Sequence, residues 1–479
     1  MNARTLMSGL HERVAPPRSG DEHTTASSPA DYALPDVGER GLARAWLWLA
    51  MAALIGSGLF SVLLVLARTP GINAWLPAGD FFRVALVLHV DLSVLVWFVA
   101  IAGLMWSLNL RKPTRSGWHW LGPASLALCA LGALGMALAA FVNPGTAVMA
   151  NYIPVLDSAT FRVALMLFGI GGLLLVVRGL LHAAPVGVQL DGTGALRFGL
   201  HASVIAAAVA LIAFGWSLAV VPTSLPPKAY YEILFWGGGH ALQFTWTLMM
   251  LVSWLVLTQA CGGRLPLSPR VVLLLFAVAL ASVFVTPLAY LMYDVSTVEH
   301  RDMHTWGMRF GGGLAIAPLV LAVVIAIAPR RQLPLNQRPL RAALLASMLL
   351  FIAGGLIGLT ISGNNVKIPA HYHGCIVGVT LALMGIVYHL LPQLGYASPQ
   401  GRLAVLQPWL YGSGQLLHIV GLVWSGGYGV QRKVAGGEQV LRSTGEIAGM
   451  GLMGLGGLVA IIGGLLFVVV VIGALRPRR

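Results

Sequence analysis

Charge is what this chain has least of: Asp, Glu, Lys and Arg supply 10% of its 479 residues, and only 16 side chains are acidic. Soluble domains carry about a quarter charged residues, so the shortage excludes an ordinary globular protein. Cysteine is scarce as well. Cys129, Cys261 and Cys375 are scattered, with no C-x-x-C and no C-x-x-C-H, which argues against a disulfide framework and covalently attached haem. Also missing are a Walker loop, a dinucleotide fingerprint, a strong internal repeat and the alternation of a β-barrel.

Apolar sequence is what the chain has in excess, at 57%. Runs long enough to cross about 30 Å of hydrocarbon fall near 43–67, 81–108, 120–142, 160–183, 197–221, 230–259, 269–293, 306–328, 342–362, 371–395, 406–428 and 449–475. Without a barrel pattern, helices are the only way to satisfy the backbone in lipid. The expected fold class is therefore all-α: a polytopic membrane protein built as a twelve-transmembrane-helix bundle. Residues 1–40, rich in Ser, Pro, Asp and Arg, are predicted to be a disordered tail without the pattern of a signal peptide, and 41–479 to be the membrane domain.

The net charge of +14 reflects topology rather than a nucleic-acid partner. In a twelve-span arrangement 17 Lys and Arg residues fall on one side and ten on the other, the remaining three being in the tail. The positive-inside rule then predicts a multi-pass protein of a bacterial-type inner membrane with both termini cytoplasmic.

The same alternation sorts the histidines by depth. His89, His240, His300, His304, His371 and His373 fall in one outer layer, on four parts of the chain. His371 and His373 are two residues apart in KIPAHYHGCIVG, so on a helix they point about 200° apart and offer an imidazole to each of two sites. A polar network or pore is the plain alternative. The layer suits flat metal-bearing cofactors between helices, with Arg432 and Lys433 in the overlying loop meeting carboxylates. The glycines before His240 in FWGGGHALQF fit either close approach of a cofactor or ordinary helix packing. His11 and His23 lie in the tail, His119, His182 and His201 at the inner interface, and His389 too deep. His418 has no partner in this reading.

A lone His on an early span, GGGH on the sixth and HYH on the tenth together resemble the haem-copper oxidase superfamily, which includes cytochrome c oxidase subunit I and the nitric oxide reductases. The resemblance covers the chain from about residue 43 and implies the subunit I fold with two haems, taken as b-type, and one non-haem metal, Fe or Cu. It implies His89 and His373 as axial ligands of a low-spin haem, His371 as ligand of a high-spin haem, and His240 on the facing metal. Arg432 and Lys433 would contact the propionates.

The pattern departs where relatives carry an adjacent His-His pair late in the seventh helix. Here that stretch reads TPLAYLMYDVSTVEHRDMH. His300 and His304, spaced i, i+4 and so on one face if helical, replace the pair; or Asp294 or Glu299 supplies oxygen; or the second metal is weak or missing. Phe244 stands four residues after His240, where oxidases often carry Tyr and nitric oxide reductases Glu. Tyr293 is expected either as a redox-active phenol or as an interfacial aromatic, and Asp91 either as a relay carboxyl or as an interfacial one. Asp294, Glu299 and Asp302 beside the site favour iron over copper and tilt the reading slightly toward NO reduction to N2O, with O2 reduction the alternative. Protons could enter from outside through Glu299, Asp302 or Glu446.

The implied partners are membrane lipid, an external electron donor (cytochrome c, a cupredoxin or quinol) and a small subunit. A proton-coupled twelve-helix transporter is the reading from another class, and a non-catalytic haem-binding relative is a third.

Overall fold

The computed structural model of the chain describes residues 32–34, 39–72, 79–110, 118–187, 190–328, 332–435 and 438–475. Among these, fifteen α-helices and one small sheet make up the fold. The first span is α1 (Arg40–Arg68). The second is one rod made of α2 (Gly79–Val90), a π-helical turn (Asp91–Val96) and α3 (Trp97–Ser107). The next four are α4 (Leu121–Val142), α5 (Ala159–Leu181), α6 (Gly192–Val220) and α7 (Pro227–Ala260). The seventh is α8 (Pro269–Val283) with α9 (Val285–Met292), and the eighth α10 (Val298–Gly311) with α11 (Gly313–Ile327). The last four are α12 (Arg338–Gly358), α13 (Lys367–Leu390), α14 (Arg402–Gly427) and α15 (Thr444–Ala474).

Eleven of these rods are long and apolar enough to cross a membrane among the described residues. The twelfth, α14, is 26 residues long but carries Gln407, Gln415 and His418, which make it more polar. It packs closely against α15, where Gly414 and Gly421 leave room only for the facing backbone. The twelve-helix bundle is therefore present, as a multi-pass membrane protein. Its lipid-facing surface is a belt of exposed Leu, Ile, Val and Phe, while α7 and α13 are enclosed along most of their length.

Helix starts follow local chemistry. Ser158, Asp191, Ser268, Thr297 and Ser443 each accept a backbone N–H three residues on, satisfying an otherwise orphaned donor. One such cap corrects a sequence boundary. The hydropathy reading starts the eighth span at 306 and leaves His300 and His304 in a connection, but the Thr297 cap starts α10 at Val298 and makes both histidines helical. The charged face of that first turn had masked it.

Between α4 and α5 no strand was expected, yet β1 (Thr146–Val148) pairs antiparallel with β2 (Val155–Asp157), Ala147 opposite Leu156. The hairpin tip carries Asn151 and Tyr152. Most of the expected tail lies outside the described residues. Within it, Tyr32 is fully buried and donates to the Leu267 carbonyl at 3.1 Å, and Glu39 accepts from the buried Arg178 at 2.6 Å. The boundary at residue 40 thus cuts through docked chain.

Candidate haem and metal centre

The first cluster forms around His89. A π-helical turn follows it, and the His89 carbonyl accepts from the hydroxyls of Ser93 at 2.6 Å and Ser57 at 3.1 Å. The ring is fixed as well: His89 Nδ1 lies 3.1 Å from the Ser57 carbonyl, so its N–H points there and Nε2 is left as an open lone pair. Asp91, two residues on, is buried, and neither carboxyl oxygen has a hydrogen-bond partner among the described residues.

His371 and His373 leave α13 in different directions, as their spacing requires. His371 faces α12, with Nδ1 2.7 Å from the Gly354 carbonyl, and a side chain at Gly358 would collide with its ring. His373 faces α14, its ring centroid 5.0 Å from that of His418. His418 therefore does have a partner, contrary to the sequence reading, which could not see how α13 and α14 meet.

The second cluster lies where the N-terminal half of α7 meets the start of α10. His240, His300 and His304 are all buried. Ring centroids are 5.5 Å apart for His240 and His304 and 4.6 Å for His300 and His304. Nδ1 of His240 donates to the Trp236 carbonyl at 2.8 Å, and Nδ1 of His304 to the His300 carbonyl at 2.8 Å. That leaves Nε2 of His304 and both nitrogens of His300 buried without a hydrogen-bond partner among the described residues.

The three glycines of GGGH have separate occupants. A Cβ on Gly237 would overlap Tyr290, one on Gly238 Phe214, and one on Gly239 Tyr152. Their absence of side chains admits two phenols to the histidines. Tyr290 sits edge-on to His300 at 4.7 Å, and its hydroxyl meets Ser217 Oγ at 2.6 Å. The hydroxyl of Tyr152 is 3.0 Å from both nitrogens of His240, and the equal distances place it over the ring rather than along the Nε2 lone pair. Burial, reinforced by Glu232, pushes the Tyr152 phenol up, so it stays protonated.

Other expected residues lie elsewhere. Tyr293 is the half-buried extended residue closing α9, and Tyr290, one turn earlier, meets the histidines instead. Glu299 and Asp302 are exposed, because burying His300 and His304 turns the charged side of α10 outward, and Asp294 is exposed in the connection before it. Asp294 accepts from Ser296, which holds its carboxyl below the usual range. The carboxylates therefore do not join the cluster. Tyr152 and Tyr290 were missed because hydropathy marks neither; the GGG run, which fitted either cofactor approach or helix packing, is filled by side chains of neighbouring elements.

Arg432 and Lys433 lie over a surface cavity of about 610 Å³ that also takes in Asn151, Lys228, Glu232 and Asn364. Arg432 donates to Asn364 at 2.6 Å, and Lys433 to the Met149 carbonyl at 2.7 Å. Lys433 has φ +63°, the left-handed region unusual for a side chain of this size. Burial, with Arg432 adding to it, pushes its amine down to about 8. Asn151 bridges this pair to Glu232, one residue from Tyr152.

The family model described as "Cytochrome C and Quinol oxidase polypeptide I" matches residues 41–466. The chain belongs to this family. It is thus a multi-pass membrane subunit of the haem-copper oxidase class, haem-dependent respiratory oxidoreductases that hold haems and a Cu or Fe centre. An uncharacterised protein of Rickettsia prowazekii (strain Madrid E) is 29% identical over 89% of this chain and 94% of its own length. A protein named cytochrome c oxidase subunit 1 from Thermus thermophilus is 27% identical over 46% of this chain and 43% of its own. A heme-copper terminal oxidase dimer solved by cryo-electron microscopy superposes with a TM-score of 0.73 at 17% identity, covering 92% of this chain and 84% of that one, and so shares the fold.

The residues present fit such groups. No three His, Cys or acidic side chains among the described residues close tightly enough to hold an ion as they stand. Yet His240, His300 and His304 are neighbours, and His300 and His304 carry orphaned nitrogens, buried polar atoms of a kind that need a partner. His89 and His371 carry the hydrogen bonds that metal-bound imidazoles make through the other nitrogen.

Proposed function

We propose that the chain is the catalytic subunit of an O2-reducing respiratory oxidase. In this reading His89 and His373 would hold a low-spin haem, His371 a high-spin haem, and His240, His300 and His304 a copper ion. The observation that carries it is the convergence of three buried imidazoles with a phenol, Tyr290, while the carboxylates of Asp294, Glu299 and Asp302 are exposed. Imidazoles alone suit copper, whereas the oxygen ligands that would have favoured iron and NO stay outside the cluster. The slight sequence preference for NO rested on those carboxylates and goes with them.

When bound, the haems and the metal supply electron transfer and gas binding. The chain supplies the rest. The backbone carbonyls of Ser57, Gly354 and Trp236 fix the tautomers of His89, His371 and His240. Tyr290, anchored by Ser217, holds a proton beside His300 where reduction of the gas consumes one. Protons reach the site from the surface bearing Glu232, Asn151 and Tyr152. The charge bias supports both termini in the cytoplasm of a bacterial cell and that surface outside, where a soluble or quinol donor and a small subunit dock.

The test is haem and metal analysis of the purified protein together with O2 and NO consumption. Two haems, one copper and O2 uptake meet the expectation. Two haems with one iron and N2O release would move the chain to the nitric oxide reductases. Two haems without a further metal or turnover would make it a non-catalytic relative, and no haem a transporter.

A further inference from the structure

His418 is a histidine that neither the oxidase reading nor the charge pattern uses. It lies on α14, 9% exposed, and its ring packs against α15, where a side chain on Gly457 would press on Nδ1 at 3.3 Å. Nδ1 lies 3.0 Å from the Met453 carbonyl. A carbonyl only accepts, so the proton is on Nδ1, and Nε2 is left as a bare acceptor.

His373 has the complementary deficit. A metal-bound imidazole almost always donates its second N–H to a carbonyl, carboxylate or water. His89 finds Ser57 and His371 finds Gly354, but His373 makes no hydrogen bond among the described residues. Its nearest imidazole neighbour is His418, at 5.0 Å between ring centroids and 54° between planes. An N–H···N bridge of about 3 Å, plus the short reach from each nitrogen to its ring centre, spans about that distance. With His418 held by the Met453 carbonyl, rotation of the His373 ring is the movement the bridge requires.

We propose that His418 is the acceptor for the Nδ1–H of His373, forming a relay that runs from His373 through His418 to the Met453 carbonyl. His418 is then a positioning residue for the low-spin haem, a role that rests on the assignment of that haem to His89 and His373. An acceptor on the distal nitrogen makes the axial imidazole more electron-rich and favours the oxidised iron. Loss of the acceptor should favour the reduced iron.

The experiment is a spectroelectrochemical titration of the full-length haem-loaded protein carrying His418→Phe, which keeps the ring but has no acceptor, and His418→Gln, which retains one. At a fixed poise near the wild-type midpoint, the Phe variant should show a reduced-to-oxidised ratio of the low-spin haem raised about tenfold. The Gln variant should stay within a few-fold of wild type, and both should keep a six-coordinate low-spin spectrum. Unchanged ratios in both variants would overturn the relay. So would equal shifts in both, since loss of packing rather than of an acceptor would then explain them. If the Phe variant does not assemble, His418→Ala replaces it under the same criteria. Wild-type protein without a low-spin haem would overturn the haem assignment itself, a separate outcome read from the reduced-minus-oxidised spectrum of the native protein before any variant is made.

Discussion

The two histidine clusters are built on opposite plans. Around His89, His371 and His418, each imidazole has one nitrogen tied to a backbone carbonyl of a neighbouring helix, so tautomer and direction are set before any cofactor arrives. Around His300 and His304 buried nitrogens are left without hydrogen-bond partners among the described residues. The first plan suits a large planar group that must slide between rigid walls and find its axial ligands already aimed. The second suits a small ion, whose binding alone can recover what those buried polar atoms lost on leaving water. The contrast is one of degree, since His240 and His304 also tie one nitrogen to a carbonyl and His373 ties none, and it supports the proposed assignment of haems to the first cluster and an ion to the second.

The largest effect should come from removing a first ligand of either kind. His373→Ala is expected to abolish the six-coordinate haem signal while some high-spin haem remains, read in the reduced-minus-oxidised spectrum. A normal low-spin spectrum in that variant would break the distinction at its preorganised end. His240→Ala should do the converse, leaving both haems while the non-haem metal is lost and gas reduction falls by at least about a thousandfold. His300→Ala and His304→Ala should each lower metal occupancy by about 10–100-fold, because two imidazoles remain. Full occupancy in either, by elemental analysis, would show that the orphaned nitrogens serve something other than the ion.

A smaller effect tests the glycines. At Gly239 an added methyl would overlap the ring of Tyr152. Gly239→Ala should therefore cost about 1–3 kcal/mol of stability through overpacking and push the phenol off His240, lowering metal retention but not haem content. Thermal unfolding in detergent with parallel metal analysis would separate this from a helix-propensity effect, which would raise stability instead.

Much of the bundle and part of the candidate site could be read before any coordinates. Spans follow from the length of apolar runs, and the opposed directions of His371 and His373 follow from helical geometry alone. That His300 and His304 share a buried face followed from their i, i+4 spacing, once Thr297 caps the helix that carries them. What could not be read is how helices meet. The approach of α14 to α13, which pairs His418 with His373, leaves no mark on either sequence taken singly. Tyr290, which the sequence reading did not name, was missed for a related reason: it stands three residues before Tyr293, and only the end of α9 decides which of the two faces α6 and α10. The carboxylates were misplaced because proximity in sequence was read as proximity in space, whereas a helix that buries His300 and His304 turns Glu299 and Asp302 to its other side, and Asp294 lies in the connection before that helix.

The smallest effect concerns the cations above the clusters and is read by chemistry rather than turnover. Lys433 lines the surface cavity, so a small water-soluble amine reagent can reach it, and its amine is pushed down to about 8. An amine is nucleophilic only when deprotonated. At pH 8 roughly half of Lys433 is neutral, against well under 1% of an ordinary lysine with a pKa near 10.4. Lys433 should therefore be labelled about a hundredfold faster than a free lysine analogue of equal accessibility, with an inflection near pH 8. A bound anion has the opposite sign: a carboxylate against Lys433 favours the charged form, moves the inflection up and slows labelling at pH 8. Protein stripped of haem should thus react faster at Lys433 than loaded protein, while Lys112 is unaffected. Equal labelling in the two states would mean that no haem propionate reaches Lys433 and that the cavity serves a ligand from outside the membrane.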